Sequence, residues 1–91
     1  EDIILADINQ TTLMIYSREG IYQTTETLTR FQQRISSSNF IQVSRHAVIN
    51  IDHLESLSDS FSGNMTAKLT NQIKTEVSRR YVKLLMEYLG I

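Results

Sequence analysis

The stretch Phe40-Ile41-Gln42-Val43-Ser44-Arg45-His46-Ala47-Val48-Ile49-Asn50 decides how the rest of the chain is read. Phe40–Ser44 alternates apolar and polar residues, the period of a strand with one buried face, and Ala47–Ile51 is a second short extended run. Between them stand Ser44, Arg45 and His46, cationic or hydrogen-bonding side chains at a break between strands, where side chains are presented outward. Phe40, Val43, Val48 and Ile49 are therefore expected in the core. A second segment, Val77-Ser78-Arg79-Arg80-Tyr81-Val82-Lys83, places three cations where a strand gives way to a helix.

On the N-terminal side of Phe40, Ile3–Ala6 and Thr11–Tyr16 read as strands, Arg18-Glu19-Gly20 as a turn and Ile21–Thr24 as the returning strand of a hairpin. The period then changes. Leu28, Phe31 and Ile35 recur at helical spacing, with Thr25 as the expected N-cap, Glu26 at the positive end of the dipole and Ser36-Ser37-Ser38-Asn39 as the terminator. One apolar stripe predicts that this helix lies on a sheet face.

On the C-terminal side, Leu54–Leu57 reads as a strand and Asp59–Asn64 as a turn cluster. Met65–Leu69 and Ile73–Val77 alternate about a tight turn at Thr70-Asn71-Gln72, a second hairpin. Ser78 is the expected N-cap of a closing helix whose apolar stripe is Tyr81, Leu84, Leu85, Tyr88 and Leu89, with Gly90 just past its end. The fold class is mainly β: about eight short strands in antiparallel sheets and hairpins, with two short helices at roughly 25–36 and 79–89.

Ninety-one residues make one domain, 1–91, and an apolar content of 41% suffices for a core. Without cysteine there is no disulfide and no thiolate zinc site. No apolar run approaches the ~20 residues of a membrane span. The start at Glu1 rather than Met is expected of a piece excised from a longer protein. Net charge is −1, but it is unevenly spread. Residues 1–63 hold four Arg against eight acidic residues, and residues 64–91 hold five basic residues against two, so the second part is net positive. Such asymmetry can steer a chain onto a polyanion even when the total is near zero.

Ser44, His46, Asp52 and His53 include nucleophile, base and orienter types, but strand alternation scatters them, and a triad is defined by geometry. His46 and His53 are seven residues apart, ~23 Å in an extended strand, too far for one metal ion without a turn. Neither catalysis nor metal binding is expected, and both histidines are expected at or near the surface. The closing helix has an amphipathic pattern, but so small a chain needs its apolar stripe for the core rather than for a membrane surface. What remains is nucleic acid. Arg79 and Arg80 open a helix, where free backbone N–H groups and the dipole favour phosphate, and an Arg there can reach a guanine edge.

Phe-x-x-Val-Ser-Arg-His-x-Val-Ile-Asn at 40–50, then Val-Ser-Arg-Arg-Tyr at 77–81, resembles the LytTR DNA-binding domain of bacterial transcription regulators, and the match runs over nearly the whole chain. The resemblance implies a mainly β fold that enters successive major grooves of duplex DNA through loops, at paired direct repeats occupied by two copies. It implies a cytoplasmic response regulator of a two-component system, with no enzyme activity, no cofactor and no membrane contact from this segment. By position it assigns Ser44, Arg45 and His46 to one major-groove loop, Arg80 beside Arg79 to a second contact, and Asn71 to the minor groove. Arg80, Arg45 and Asn71 are expected to read bases, and Lys74, Arg79, Lys83, Ser44 and His46 to position phosphates or add to readout. The chain departs from the pattern at Ser44, where His is common, at His46, where Ser is usual, and at Gln42 and Ala47, which replace an Arg and an aromatic. A protein-interaction module on the same fold, without DNA, is the alternative.

Overall fold

Two antiparallel sheets share one apolar core with the closing helix, and the first helix covers a second apolar cluster on the opposite face of the larger sheet. The computed structural model describes residues 2–35 and 39–91. Along the chain the elements are β1 (Ile3–Asn9), β2 (Thr12–Ser17), β3 (Gly20–Thr24), α1 (Leu28–Arg34), β4 (Phe40–Ser44), β5 (Ala47–Asn50), β6 (Leu54–Asp59), β7 (Met65–Leu69), β8 (Lys74–Val77) and α2 (Arg79–Leu89). The larger sheet has the order β3-β2-β1-β5-β4, and the smaller one β6-β7-β8. The mainly β expectation is borne out, including both hairpins.

Alternation along each strand divides the larger sheet into two faces. Ala6, Leu13 and Val48 pack with Leu28 and Phe31 of α1 on one face. Leu5, Val43, Ala47 and Ile49 face the other way, onto Ala67, Leu69 and Val77 of the smaller sheet and Leu85 of α2. Two bulges interrupt the alternation. β1 takes two residues from Ile3 to Leu5 against one step on β2, and β4 takes two from Gln42 to Ser44 against one step on β5. Each bulge turns consecutive residues to the same side, so Ile4 joins Leu5, and Ser44 joins Val43, on the shared-core side of the sheet.

Helix α1 starts at Leu28 because Thr27, not the expected Thr25, caps it: Thr27 Oγ1 accepts from the Arg30 N–H at 3.1 Å. Glu26 lies outside the helix and pairs with Arg34, whose guanidinium lies over the Phe31 ring 5.4 Å from its centroid. The helix ends at Arg34, and the expected terminator at 36–38 lies outside the described residues. Phe40 packs edge-on against Phe31, with centroids 6.2 Å apart. β1 runs on to Asn9, beyond the expected end at Ala6, because Asp7, Ile8 and Asn9 pair with Met14, Leu13 and Thr12 across a tight turn in which Gln10 takes a φ of 60°.

Helix α2 has the expected bounds but turns a different face to the core. Leu85 is fully buried, and Tyr81, Val82 and Leu89 pack around it. Leu84 is 58% exposed and Tyr88 45%, so neither belongs to the stripe that was expected to bury them. The helix packs on β4, an edge strand, and an edge covers a narrower arc than a sheet face. Asn50, at the end of β5 opposite Phe40, is buried: its Nδ2 donates to the Ile3 carbonyl at 2.9 Å, and its Oδ1 accepts from the Asp52 N–H at 3.0 Å.

Leu85→Ala should lower the urea unfolding free energy by about 2–5 kcal/mol, while Leu84→Ala should change it by no more than about 0.5 kcal/mol; equal effects would contradict the observed helix face. Asn50→Ala should cost about 1–3 kcal/mol in the same assay, because it strands the Ile3 carbonyl and the Asp52 N–H.

Candidate nucleic-acid interface

The β4–β5 turn is held from three sides. The Gln42 amide donates to the Ser44 carbonyl at 2.8 Å, the Ser44 hydroxyl accepts from the His46 N–H at 3.3 Å, and the Ile8 N–H donates to the His46 carbonyl at 2.7 Å. The His46 ring closes the bracing through Nδ1, 2.7 Å from Asp7 Oδ1. Ser44, expected to face outward, is only 5% exposed, since the Val43 bulge turns it inward. Its hydroxyl shapes the turn. Arg45 and His46 are the residues of this turn that face solvent.

The start of α2 docks beside this turn. The Ser78 N–H donates to the Val43 carbonyl at 2.8 Å, tying the smaller sheet and its helix to the edge of the larger one. Ser78 stands at the expected cap position, but its side chain makes no capping bond. Asn64, from the β6–β7 loop, supplies it: Oδ1 accepts from the Arg79 N–H at 2.7 Å, and Nδ2 donates to Glu76 Oε2 at 2.6 Å. The Arg79 amide that the sequence offered to a phosphate is therefore occupied. The Arg79 stem lies on Gly63, where an added Cβ would stand 3.0 Å from Arg79 Cδ. Arg80 and Lys83 are exposed on the same helix, three residues apart and hence neighbours on its surface.

The two junctions form one surface. Ser44, His46, Asn64, Glu76 and Ser78 line a groove between them. Asp7, Asn9, Gln10 and Tyr16 line a second groove that shares His46, so the β1–β2 turn belongs to the same end of the molecule. Among the described residues Arg45, Arg79, Arg80 and Lys83 form no ion pair. Asn71 and Lys74 stand elsewhere. Asn71 sits in the β7–β8 turn with a φ of 63°, at the opposite end of the hairpin from Arg79 and roughly 20 Å away along the strand. Lys74 faces Lys68 across the strands on the outer side of the smaller sheet.

The sequence missed two parts of this end. The β1–β2 turn has no glycine to mark it, and its Asp7 meets His46 across 39 residues. The Gly63-Asn64 pair read as turn residues, with nothing in the pattern to link them to Arg79. Of the residue types considered for catalysis, Ser44 and His46 border one groove, and Asp52 and His53 have other partners. His46 pairs with Asp7, Asp52 accepts from the Asn39 amide at 2.8 Å, and His53 is buried rather than near the surface, with Nδ1 3.0 Å from Thr70 Oγ1. Among the described residues no three His, Cys, Asp or Glu side chains come together as a metal site, and no helix is long and apolar enough to cross a membrane.

Comparison with known proteins agrees with this geometry. The family model of the LytTr DNA-binding domain matches residues 1–90. The chain is similar to the sensory transduction protein LytR of Staphylococcus epidermidis, 32% identical over 90 residues, covering 99% of this chain and 36% of the relative. It is likewise 32% identical over 91 residues to the sensory transduction protein LytT of Enterococcus faecalis, covering 100% of this chain and 38% of that protein. The chain thus spans little more than a third of these relatives. Among solved structures, the LytTr DNA-binding domain of a putative methyl-accepting/DNA response regulator from Bacillus cereus superposes with a TM-score of 0.89 at 16% identity, over 99% of this chain and 83% of that one. Two sheets that present exposed cations at one end, together with a family match from the first strand to the last helix, lead to one conclusion: the chain belongs to the LytTR family and is a DNA-binding domain.

Proposed function

We propose that this domain reads duplex DNA in a sequence-specific manner with the end where the β1–β2 turn, the β4–β5 turn and the start of α2 meet. The observation that carries this reading is the 2.8 Å bond from Ser78 N–H to Val43 O, which sets Arg45 and Arg79 on adjoining, braced junctions. Both side chains are exposed and without an ion pair among the described residues. An Arg guanidinium can donate two parallel bonds to the O6 and N7 of guanine, a pattern that distinguishes one base pair from the others. We assign base readout to Arg45 and Arg79. Arg80, which the sequence favoured, we place with Lys83, its neighbour on the exposed helix surface, as a phosphate contact. His46, held by Asp7, borders the groove and faces solvent beside Arg45. Asn71 and Lys74 would meet the duplex only beyond this cluster.

The domain would act as the DNA-contacting part of a longer bacterial transcription regulator, two copies occupying paired direct repeats. The protein-interaction alternative has no specific observation in its favour.

Selection from a random duplex library would define the preferred site, and mobility shifts on it would test the assignment. With about five phosphates neutralised per copy, log K should fall with log salt with a slope of about −4 to −5. Arg79→Ala and Arg45→Ala should each lose about 1–3 kcal/mol and flatten the preference at one base pair, while Lys83→Ala should weaken all sequences alike and reduce the salt slope by about 1. A salt-independent shift, or none, would return the domain to protein interaction.

A further inference from the structure

We infer that the β6–β7 loop is a positioning element for Arg79, acting through Gly63 and Asn64. The inference rests on Arg79 as a base-reading cation and adds what fixes its geometry. The loop is itself locked. The Ser60 N–H donates to the Asn64 carbonyl and the Asn64 N–H to the Phe61 carbonyl, both at 2.9 Å. Ser62 takes a φ of 57° and Gly63 one of 85°, conformations that turn the chain back within three residues.

From this frame two contacts reach Arg79. Gly63 presents bare backbone to the aliphatic stem, and a Cβ at position 63 would come within 3.0 Å of Cδ and 3.2 Å of Cγ. Asn64 holds the Arg79 main-chain N–H at 2.7 Å and is itself held by Glu76 at 2.6 Å. Stem and backbone are thus restrained together, and the guanidinium leaves the protein from a defined origin. This matters because a free Arg side chain has many rotamers and loses most of that freedom when its fork docks in one plane. Glu76, a carboxylate beside a surface meant for a polyanion, serves here as the acceptor that orients Asn64.

A loop that merely caps α2 would support the fold without favouring any base. Anisotropy titrations separate the two roles, using the selected duplex and each of its single base-pair variants. The proteins are the parent, Gly63→Ala, Asn64→Ala, Arg79→Ala and each loop variant combined with Arg79→Ala, all shown to be folded by circular dichroism at the assay temperature. Gly63→Ala should weaken binding to the preferred site by at least about fivefold and lose discrimination at the same base pair that Arg79→Ala flattens. In the Arg79→Ala background it should add no more than about twofold. Asn64→Ala should behave likewise and serves as the test if Gly63→Ala does not fold. A loss spread evenly over all duplex variants, or one that persists in full without Arg79, would overturn the inference. If Arg79→Ala itself leaves affinity and base preference unchanged, the assignment of Arg79 fails, a result distinct from failure of the loop's role.

Discussion

The bond from the Ser78 N–H to the Val43 carbonyl is the constraint on which the working end of this molecule depends. β4 is the edge of its sheet, and an edge strand carries unpaired backbone groups that must find partners. Val43 sits at the bulge in that strand, and its carbonyl is the point where the second sheet attaches. The apolar side chains of both sheets then close over the junction, with Leu85 from the helix that begins there. One hydrogen bond of this kind contributes only about 1 kcal/mol net, so the core supplies the stability and the bond supplies the alignment. It sets which residue of one sheet lies beside which residue of the other.

Charge is arranged to the same end. A domain of net charge −1 is an unpromising partner for DNA if its charges are merely summed. Two of its acids near this end are engaged, however. Asp7 holds His46 and Glu76 holds Asn64, while Glu26 pairs with Arg34 near the end of α1. On the proposed reading, the cations left exposed at the junctions are those that a duplex would meet. Local disposition rather than total charge governs such contacts, because fields from distant exposed charges are screened within about 10 Å at ordinary salt.

Much of the fold was legible in the sequence because alternation and helical period are local signals. The hairpins and the bounds of α2 follow from residues within a few positions of one another. What failed were features set by contact across the fold. Bulges at Ile4 and Val43 leave no mark in the sequence pattern, so the inward turn of Ser44 could not be read. Leu84 and Leu85 are identical in composition, and only the line of β4 beneath the helix decides which is buried. Thr25 and Thr27 are equal as caps until Glu26 is drawn outside the helix. In the candidate site, Arg45 and Arg79 stood out as cations at element ends, whereas Gly63, Asn64 and Asp7 became visible only once distant segments met.

The backbone of the β4–β5 turn owes its shape to Gln42, Ser44 and Ile8, and the His46 ring is anchored by Asp7; the Arg45 side chain takes part in none of these bonds. Among the described residues, the bonds that shape this turn do not depend on which side chain stands at position 45. If Arg45 reads a base as proposed, a sister protein arising by gene duplication could change that one residue, shift its operator and keep the bonds that shape the turn. Families of regulators that coexist in one cell without cross-talk can diverge along such a route, because a change in what the turn recognises need not pass through a molecule that fails to fold.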